Sequence, residues 1–332
     1  MNEIIGLEPV DRVEITTLCE NLVDSMAPSS EAVERRRASA KNPVVSKLFA
    51  KELATPFEGA HGLSMLIRLT RNGITRSLLF DAGGSIDGLT HNLDCLEVNP
   101  RDFSCIVLSH GHFDHVLGLI GLHQRLGRLA FPVTLHPDAY LERGARMPNG
   151  KINAIGAPSR QGLRDAGLEL IEGTTPSFVL EKMALVTGQI ARTNNYETGW
   201  PEHVAMRNGD WTPDPEICDD QGLVMNVKGK GLVVLSGCGH AGIINTVTHA
   251  QSITGVSKVH AVIGGFHLGP NYFQPRIPSV VSDLVALNPG IVAPAHCTGY
   301  RAAFAVYSAL PDAFVQNTVG TRITIEGEGE GG

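Results

Sequence analysis

The chain has no apolar run approaching the roughly 20 residues that a membrane-spanning helix needs. Aromatic residues are scarce, at 5%, and the two tryptophans form no readable interface patch with their few companions. Positive charge is in the minority. Lys and Arg number 27 against 34 Asp and Glu, a net charge of −7, and no basic stripe runs along the chain. Nucleic acid is therefore not an expected partner, although a cleft around a cation can be locally positive. No P-loop or dinucleotide fingerprint is present, so ATP and NAD are not expected, and no Gly-x-Ser-x-Gly elbow supplies a serine nucleophile. The opening Met1–Pro9 carries acidic residues where a secretory leader has basic ones, and no apolar segment follows. Six cysteines (Cys19, Cys95, Cys105, Cys218, Cys238 and Cys297) are scattered rather than spaced as staples. Reduced thiols and a cytoplasmic setting fit that pattern.

What is present is a chain of 332 residues, 42% hydrophobic, able to bury one large core or two modest ones. Alternating stretches at 13–17 and 64–69 read as strands, as do 76–80 and 132–136. Between the first two, residues 24–60 read as an inserted, partly helical excursion over the mouth of a site, with a mobile surface loop as the alternative. Residues 145–221 are the least regular part, rich in turn residues, and read as a second insertion. From 222 onward the pattern is a β/α alternation: strands at 231–236, 258–263 and 290–294, helices over 242–253 and 277–287. The glycine-rich tail from Glu326 to Gly332 reads as frayed.

The most informative run is Ser109-His-Gly-His-Phe-Asp-His115, directly after the apolar Cys105–Leu108. Three imidazoles and a carboxylate inside six residues are a poor use of a core, because each buried polar atom needs a partner. A divalent metal satisfies them together, and two closely spaced ions could share the cluster. His110 and His112 fall on one side of extended chain, while Asp114 and His115 open a helical segment. Solvated surface histidines, a helix cap made by Asp114, or a mononuclear site are the competing readings. His240, His267 and His296 each follow a predicted strand, as His110 does. In open α/β sheets that carboxyl edge is where ligands bind.

The His-x-His-x-Asp-His run resembles the signature of the metallo-β-lactamase superfamily. Leu235–Thr246, Ala261–Leu268 and Ala295–Gly299 are similar to the branch named for 7,8-dihydropterin-6-methyl-4-(β-D-ribofuranosyl)-aminobenzene-5′-phosphate synthase. The resemblance implies one α/β domain over 1–332, an αββα sandwich of two mixed sheets covered by helices. It implies metal ligands at His110, His112, Asp114, His115, His240 and His296, and an orienting role for Asp81. In most of the superfamily an aspartate bridges two metals where this chain has Cys238, and no unambiguous counterpart of the third-motif histidine precedes that strand. His240 could supply the missing nitrogen, with His136 and His203 as weaker candidates. Cys238 is either a thiolate ligand or a small buried thiol.

His267 reads as a substrate contact or a proton donor to a leaving group, with a metal role as the alternative. Gly237, Gly239 and Gly242 could offer backbone N–H groups to an anion at a helix start. Arg143, Arg146, Arg192 and His136 lie where the family meets substrate, although surface arginine is the default. The expected cofactor is one or two divalent ions, Zn²⁺ first, then Mn²⁺, Fe²⁺ or Mg²⁺, and the expected partner a small-molecule substrate. Three functions follow. The first is a metal-dependent hydrolase of a phosphoester or other small anionic ester, with Asp114 and His267 catalytic. The second is a synthase-like transferase displacing pyrophosphate, and the third a metal-binding sensor without turnover.

Overall fold

In the strand Ser64–Arg71 successive side chains part company, as a period of two requires. Met65, Ile67 and Leu69 enter one hydrophobic core and Leu66 another. Gly231–Ser236 does the same, sending Val233 and Leu235 inward and Leu232 and Val234 to the opposite face. Strands apolar on both faces must be covered on both, so two sheets stack and helices close the outside. A computed structural model of residues 4–39, 41 and 43–329 shows this arrangement.

One mixed sheet has eight strands, in the order Glu169–Glu172, Pro132–Leu135, Cys105–Val107, Ile74–Phe80, Ser64–Arg71, Arg12–Cys19, Thr321–Glu326 and Val33–Arg35. The other has six: Ser177–Val179, Ala184–Val186, Leu223–Val227, Gly231–Ser236, Val259–Gly265 and Ile291–Ala295. Their facing sides form a shared core that includes Ile15, Met65, Phe80, Leu235 and Ile263. Phe80 is fully buried there, and truncating it to Ala should cost about 3–5 kcal/mol. Helices Gly88–Cys95 and Gly118–Leu126 cover the outside of the first sheet. Helices Ile243–Thr254, Ile277–Leu287 and Tyr300–Ala309 cover the second. The αββα sandwich expected from the sequence is therefore the fold.

Two expectations change. Residues 24–60 hold no helix among the described residues. Val33–Arg35 instead pairs antiparallel with Thr321–Ile323 and extends the large sheet at its edge. The segment 145–221 is more regular than its turn-rich composition suggests. Glu169–Glu172 joins the first sheet, Ser177–Val179 and Ala184–Val186 join the second, and Arg143–Arg146, Ile152–Gly156, His203–Arg207 and Asp210–Pro213 form a separate four-stranded sheet. Short strands separated by Gly and Pro carry too little periodicity to show in sequence. The last three residues of the acidic tail lie outside the described residues. Among those described, no helix is long and apolar enough to cross a membrane, and all six cysteines are free thiols.

The parallel pairs matter most for the site. Ile74–Phe80 runs parallel to Cys105–Val107, and Gly231–Ser236, Val259–Gly265 and Ile291–Ala295 run parallel to one another. Their carboxyl ends deliver, in turn, Asp81, His110, Cys238, His267 and His296 to one rim.

Candidate metal centre

The site is built outward from Asp81, which ends its strand in the left-handed region at φ 57°. That turn aims its fully buried carboxylate at the next loop. Oδ1 accepts the Ser109 N–H at 2.7 Å, and Oδ2 accepts the Ser109 hydroxyl and the His115 Nδ1–H, each at 2.7 Å. Because a carboxylate only accepts, this contact places the His115 proton on Nδ1 and turns Nε2 toward Cys238 Sγ, 3.1 Å away. Burial lowers the His115 pKa, but Asp81 and Asp114 outweigh it and push it up to about 9. A Cβ on Gly237 would stand 2.0 Å from the Ser109 hydroxyl, so only glycine lets the second sheet approach this close.

Two groups of donors converge on that rim. In the first, His110, His112 and His240 bring one nitrogen each within 4.8 Å of one another, and His240 Nε2 lies 3.3 Å from His110 Nε2. All three are buried. Burial, and then the neighbouring imidazoles, hold His110 and His240 well below the ordinary histidine range, and burial does the same to His112.

In the second group, Asp114, His115, Cys238 and His296 meet within the same limit. Asp114 Oδ2 is 3.2 Å from His296 Nε2 and 3.9 Å from His115 Nε2. Burial works against its charge, yet His115, His296 and His61 hold its pKa well below the usual carboxylate range. Burial pushes the Cys238 thiol up. A third set, Cys238, His240 and His267, joins the two groups.

The donor chemistry fits a divalent ion. Among the described residues, Nε2 of His112 is buried without a hydrogen-bond partner, and His267 has only the Cys297 thiol beside its ring. Neutral imidazoles facing one another across a few ångströms leave lone pairs that a borderline cation satisfies. The cluster floors a cavity of about 390 Å³ whose walls include His61, Phe113, Trp200 and His203.

The structure thus brings together His110, His112, Asp114, His115, His240, His267 and His296, with Cys238 among them and Asp81 behind. His267 sits at φ 48°, its ring 4.2 Å from that of His240. His136 is not at the cavity wall. Its Nδ1 accepts the Asp138 N–H and caps the turn Pro137–Tyr140. His203 lines the cavity, stacked edge-on to Trp200 at 4.5 Å, but stays outside the donor groups. Arg143 is not a surface arginine. It is 1% exposed and paired with Asp214 and Asp219. Arg146 is exposed, and Arg192 donates to the His240 carbonyl.

The helix start near Gly242 does not wait for an external anion. Glu197 fills it, accepting from Ile244 N and Asn245 N. The residues that sequence reasoning passed over are His61, Glu20 and Asn21. His61 Nε2 lies 3.3 Å from Asp114 Oδ2, and that contact raises its pKa. Glu20 accepts the His296 N–H with both oxygens, and Asn21 Oδ1 lies 3.3 Å from His296 Nδ1. The signal for the latter two was their place at the end of a strand, the position already weighted for the histidines.

A sequence profile described as the metallo-beta-lactamase superfamily matches residues 59–247. The chain belongs to that superfamily, which is divalent-metal dependent. It is 31% identical over 252 residues to the 7,8-dihydropterin-6-methyl-4-(beta-D-ribofuranosyl)-aminobenzene-5'-phosphate synthase of Methanocaldococcus jannaschii, covering 75% of this chain and 84% of that one. It is 32% identical over 249 residues to an uncharacterized protein of the same organism, covering 74% of this chain and 87% of the relative. Among solved structures, a metal-dependent hydrolase of the beta-lactamase superfamily shares the fold, with a TM-score of 0.67 at 23% identity over 95% of this chain and 99% of that one.

Proposed function

We propose that this chain is a metal-dependent hydrolase acting on a phosphoester or another small anionic ester. One observation carries the reading. Three buried, neutral imidazoles, two of them lining a cavity, stand beside a second group holding a carboxylate and a thiol. His110, His112 and His240 would hold one ion, and Asp114, His115 and His296, with Cys238, a second. A bound divalent ion, Zn²⁺ best by its donors, supplies an acidified water and polarises the bond under attack.

The remaining work falls to side chains. Asp114 keeps its negative charge beside three imidazoles, and its second oxygen, the one not turned toward the other ligands, would accept the proton of an attacking water. His267, at the cavity wall beside the Cys297 thiol, is placed to protonate a departing oxygen. Asp81 fixes the tautomer of His115 from behind. Phe113 and Trp200 add apolar surface to the cavity wall.

A second reading is a transfer reaction that displaces pyrophosphate. Favouring it is the 31% identity that reaches across 84% of the synthase. Both readings use the same donors, because each requires a cation beside an anionic leaving group. The test is metal analysis of the purified protein followed by a screen of generic phosphodiester, lactone and ester substrates. Turnover that disappears in Asp114→Ala supports hydrolysis. Stoichiometric metal without turnover on any class turns the assignment toward transfer or a sensor.

A further inference from the structure

Three consecutive residues, Asp219, Asp220 and Gln221, lie buried between the two sheets at the metal end. Each holds a loop that carries one of the three clustered imidazoles. Asp219 Oδ2 accepts the N–H of Gly111, the residue between His110 and His112, at 2.9 Å. Asp220 Oδ2 accepts the N–H of Ala241, next after His240, at 2.8 Å. Gln221 donates its backbone N–H to Ser109 O at 3.0 Å and its side-chain amide to Leu108 O at 2.9 Å. One tripeptide therefore grips the loop leaving the first sheet and the loop leaving the second.

Carboxylates are a costly way to satisfy backbone N–H groups inside a protein, since an amide or a carbonyl would serve without a buried charge. Asp219 offsets its charge with Arg143, whose Nη2 lies 2.7 Å from Oδ1. That guanidinium also holds Asp214 and the Asp138 carbonyl. Asp220 has no ion pair among the described residues, and Arg192 offsets its charge only from further off. Its Oδ1 is buried and without a hydrogen-bond partner among the described residues. A charge-assisted bond is shorter and stiffer than a neutral one, and stiffness is what a ligand set split between two sheets requires.

We infer that Asp219, Asp220 and Gln221 are positioning residues that set the distance between the His110–His112 pair and His240. Their effect is on the three-imidazole group, not on Asp114, His115, Cys238 and His296, which are held from elsewhere by Asp81 and Glu20. The inference rests on the metal-site reading for the identity of the ligands, and cobalt(II) titration of the full chain separates the two. A sulfur-to-cobalt band reports the group containing Cys238, while the remaining uptake reports the imidazoles.

Asp220→Ala is expected to weaken cobalt at the imidazole group by about 10–100-fold, as loss of an outer partner does, with the sulfur band retained. Asp220→Asn, whose amide oxygen still accepts the Ala241 N–H but without the charge, should lose less than the alanine variant. Unchanged uptake in Asp220→Ala, equal losses in the Ala and Asn variants, or a parallel fall of both signals would overturn the inference. If Asp220→Ala does not fold, Gln221→Ala gives the same reading: selective loss supports it, and none or uniform loss overturns it. A wild-type chain that takes up no cobalt sinks the clamp and the metal site together.

Discussion

The two donor groups differ in charge and in what holds them. His110, His112 and His240 are uncharged, lie on loops from both sheets, and have their backbone gripped by residues 219–221. Asp114, His115, Cys238 and His296 include a carboxylate and a thiol, and are steadied by side chains, Asp81 on His115 and Glu20 on the His296 backbone. An uncharged set leaves an ion's full charge facing the cavity, whereas an anionic set binds more firmly and spends part of that charge on its own ligands. The expected division is a retained ion in the mixed group and a more exchangeable one among the imidazoles.

The sharpest break in this comparison is Asp114→Ala. It removes the only carboxylate in either group, and turnover should fall by about 10²–10⁴-fold, the range for a lost proton acceptor. Retained turnover would overturn the assignment of that carboxylate. Next comes His240→Ala. Two imidazoles do not make a firm site, so metal content should drop by one equivalent while the sulfur-to-cobalt band from Cys238 persists. Loss of both ions would mean the groups are not independent.

Asp81→Asn is expected to act more moderately. The amide oxygen can still accept from Ser109, but its NH₂ cannot accept from His115 Nδ1, so the imidazole loses its fixed tautomer. A 10–100-fold weaker affinity in the mixed group is the expected result, with a smaller loss in the imidazole group that Asp81 reaches through the Ser109 hydroxyl beside His110, measured by calorimetric metal titration. Equal weakening of both groups would assign Asp81 a general structural role. Cys238→Asp should change affinity least of the ligand substitutions, since a carboxylate also ligates these ions, and should abolish the sulfur band. A band that survives would remove Cys238 from the ligand set.

How far the chain announced this site depends on whether a residue acts locally or across the fold. The His110–His115 run was legible because its density makes any other use of four polar side chains expensive. His240, His267 and His296 were legible from their position after strands, which topology sends to one rim. Arg143 is neither the substrate contact nor the surface group that its local sequence suggests, because its partners, Asp214 and Asp219, lie more than 70 residues away in sequence, and a buried ion pair leaves no local pattern. His136 was overweighted for the opposite reason: a histidine before proline looks like a rim element, while its actual bond is to a backbone N–H two residues on. The strands within 145–221 were hidden by their shortness, since three or four residues do not establish a period. Glu197 at the Ile243–Thr254 helix start was equally invisible, because a helix terminus attracts a carboxylate from any part of the chain.

The smallest effect expected concerns His203, which lines the cavity between the imidazole group and Trp200 without joining either donor set. Burial first, then His267 and Arg143, lower its pKa to about 3. An unfolded histidine titrates near 6.5, so the folded chain holds this ring neutral where the unfolded chain protonates it. The stability it contributes is fully present above about pH 6.5 and is lost progressively as pH falls toward 3. His203→Phe keeps a ring against Trp200 and removes the titration. In cation-free protein, unfolding temperature plotted against pH should therefore fall less steeply below pH 6.5 in the variant than in the wild type. The clustered ligand imidazoles remain in both proteins, so the difference between the two curves isolates His203. Parallel curves would mean that this ring takes up its proton as readily in the fold as outside it, and that the cavity wall beside Trp200 is wetter than its burial suggests.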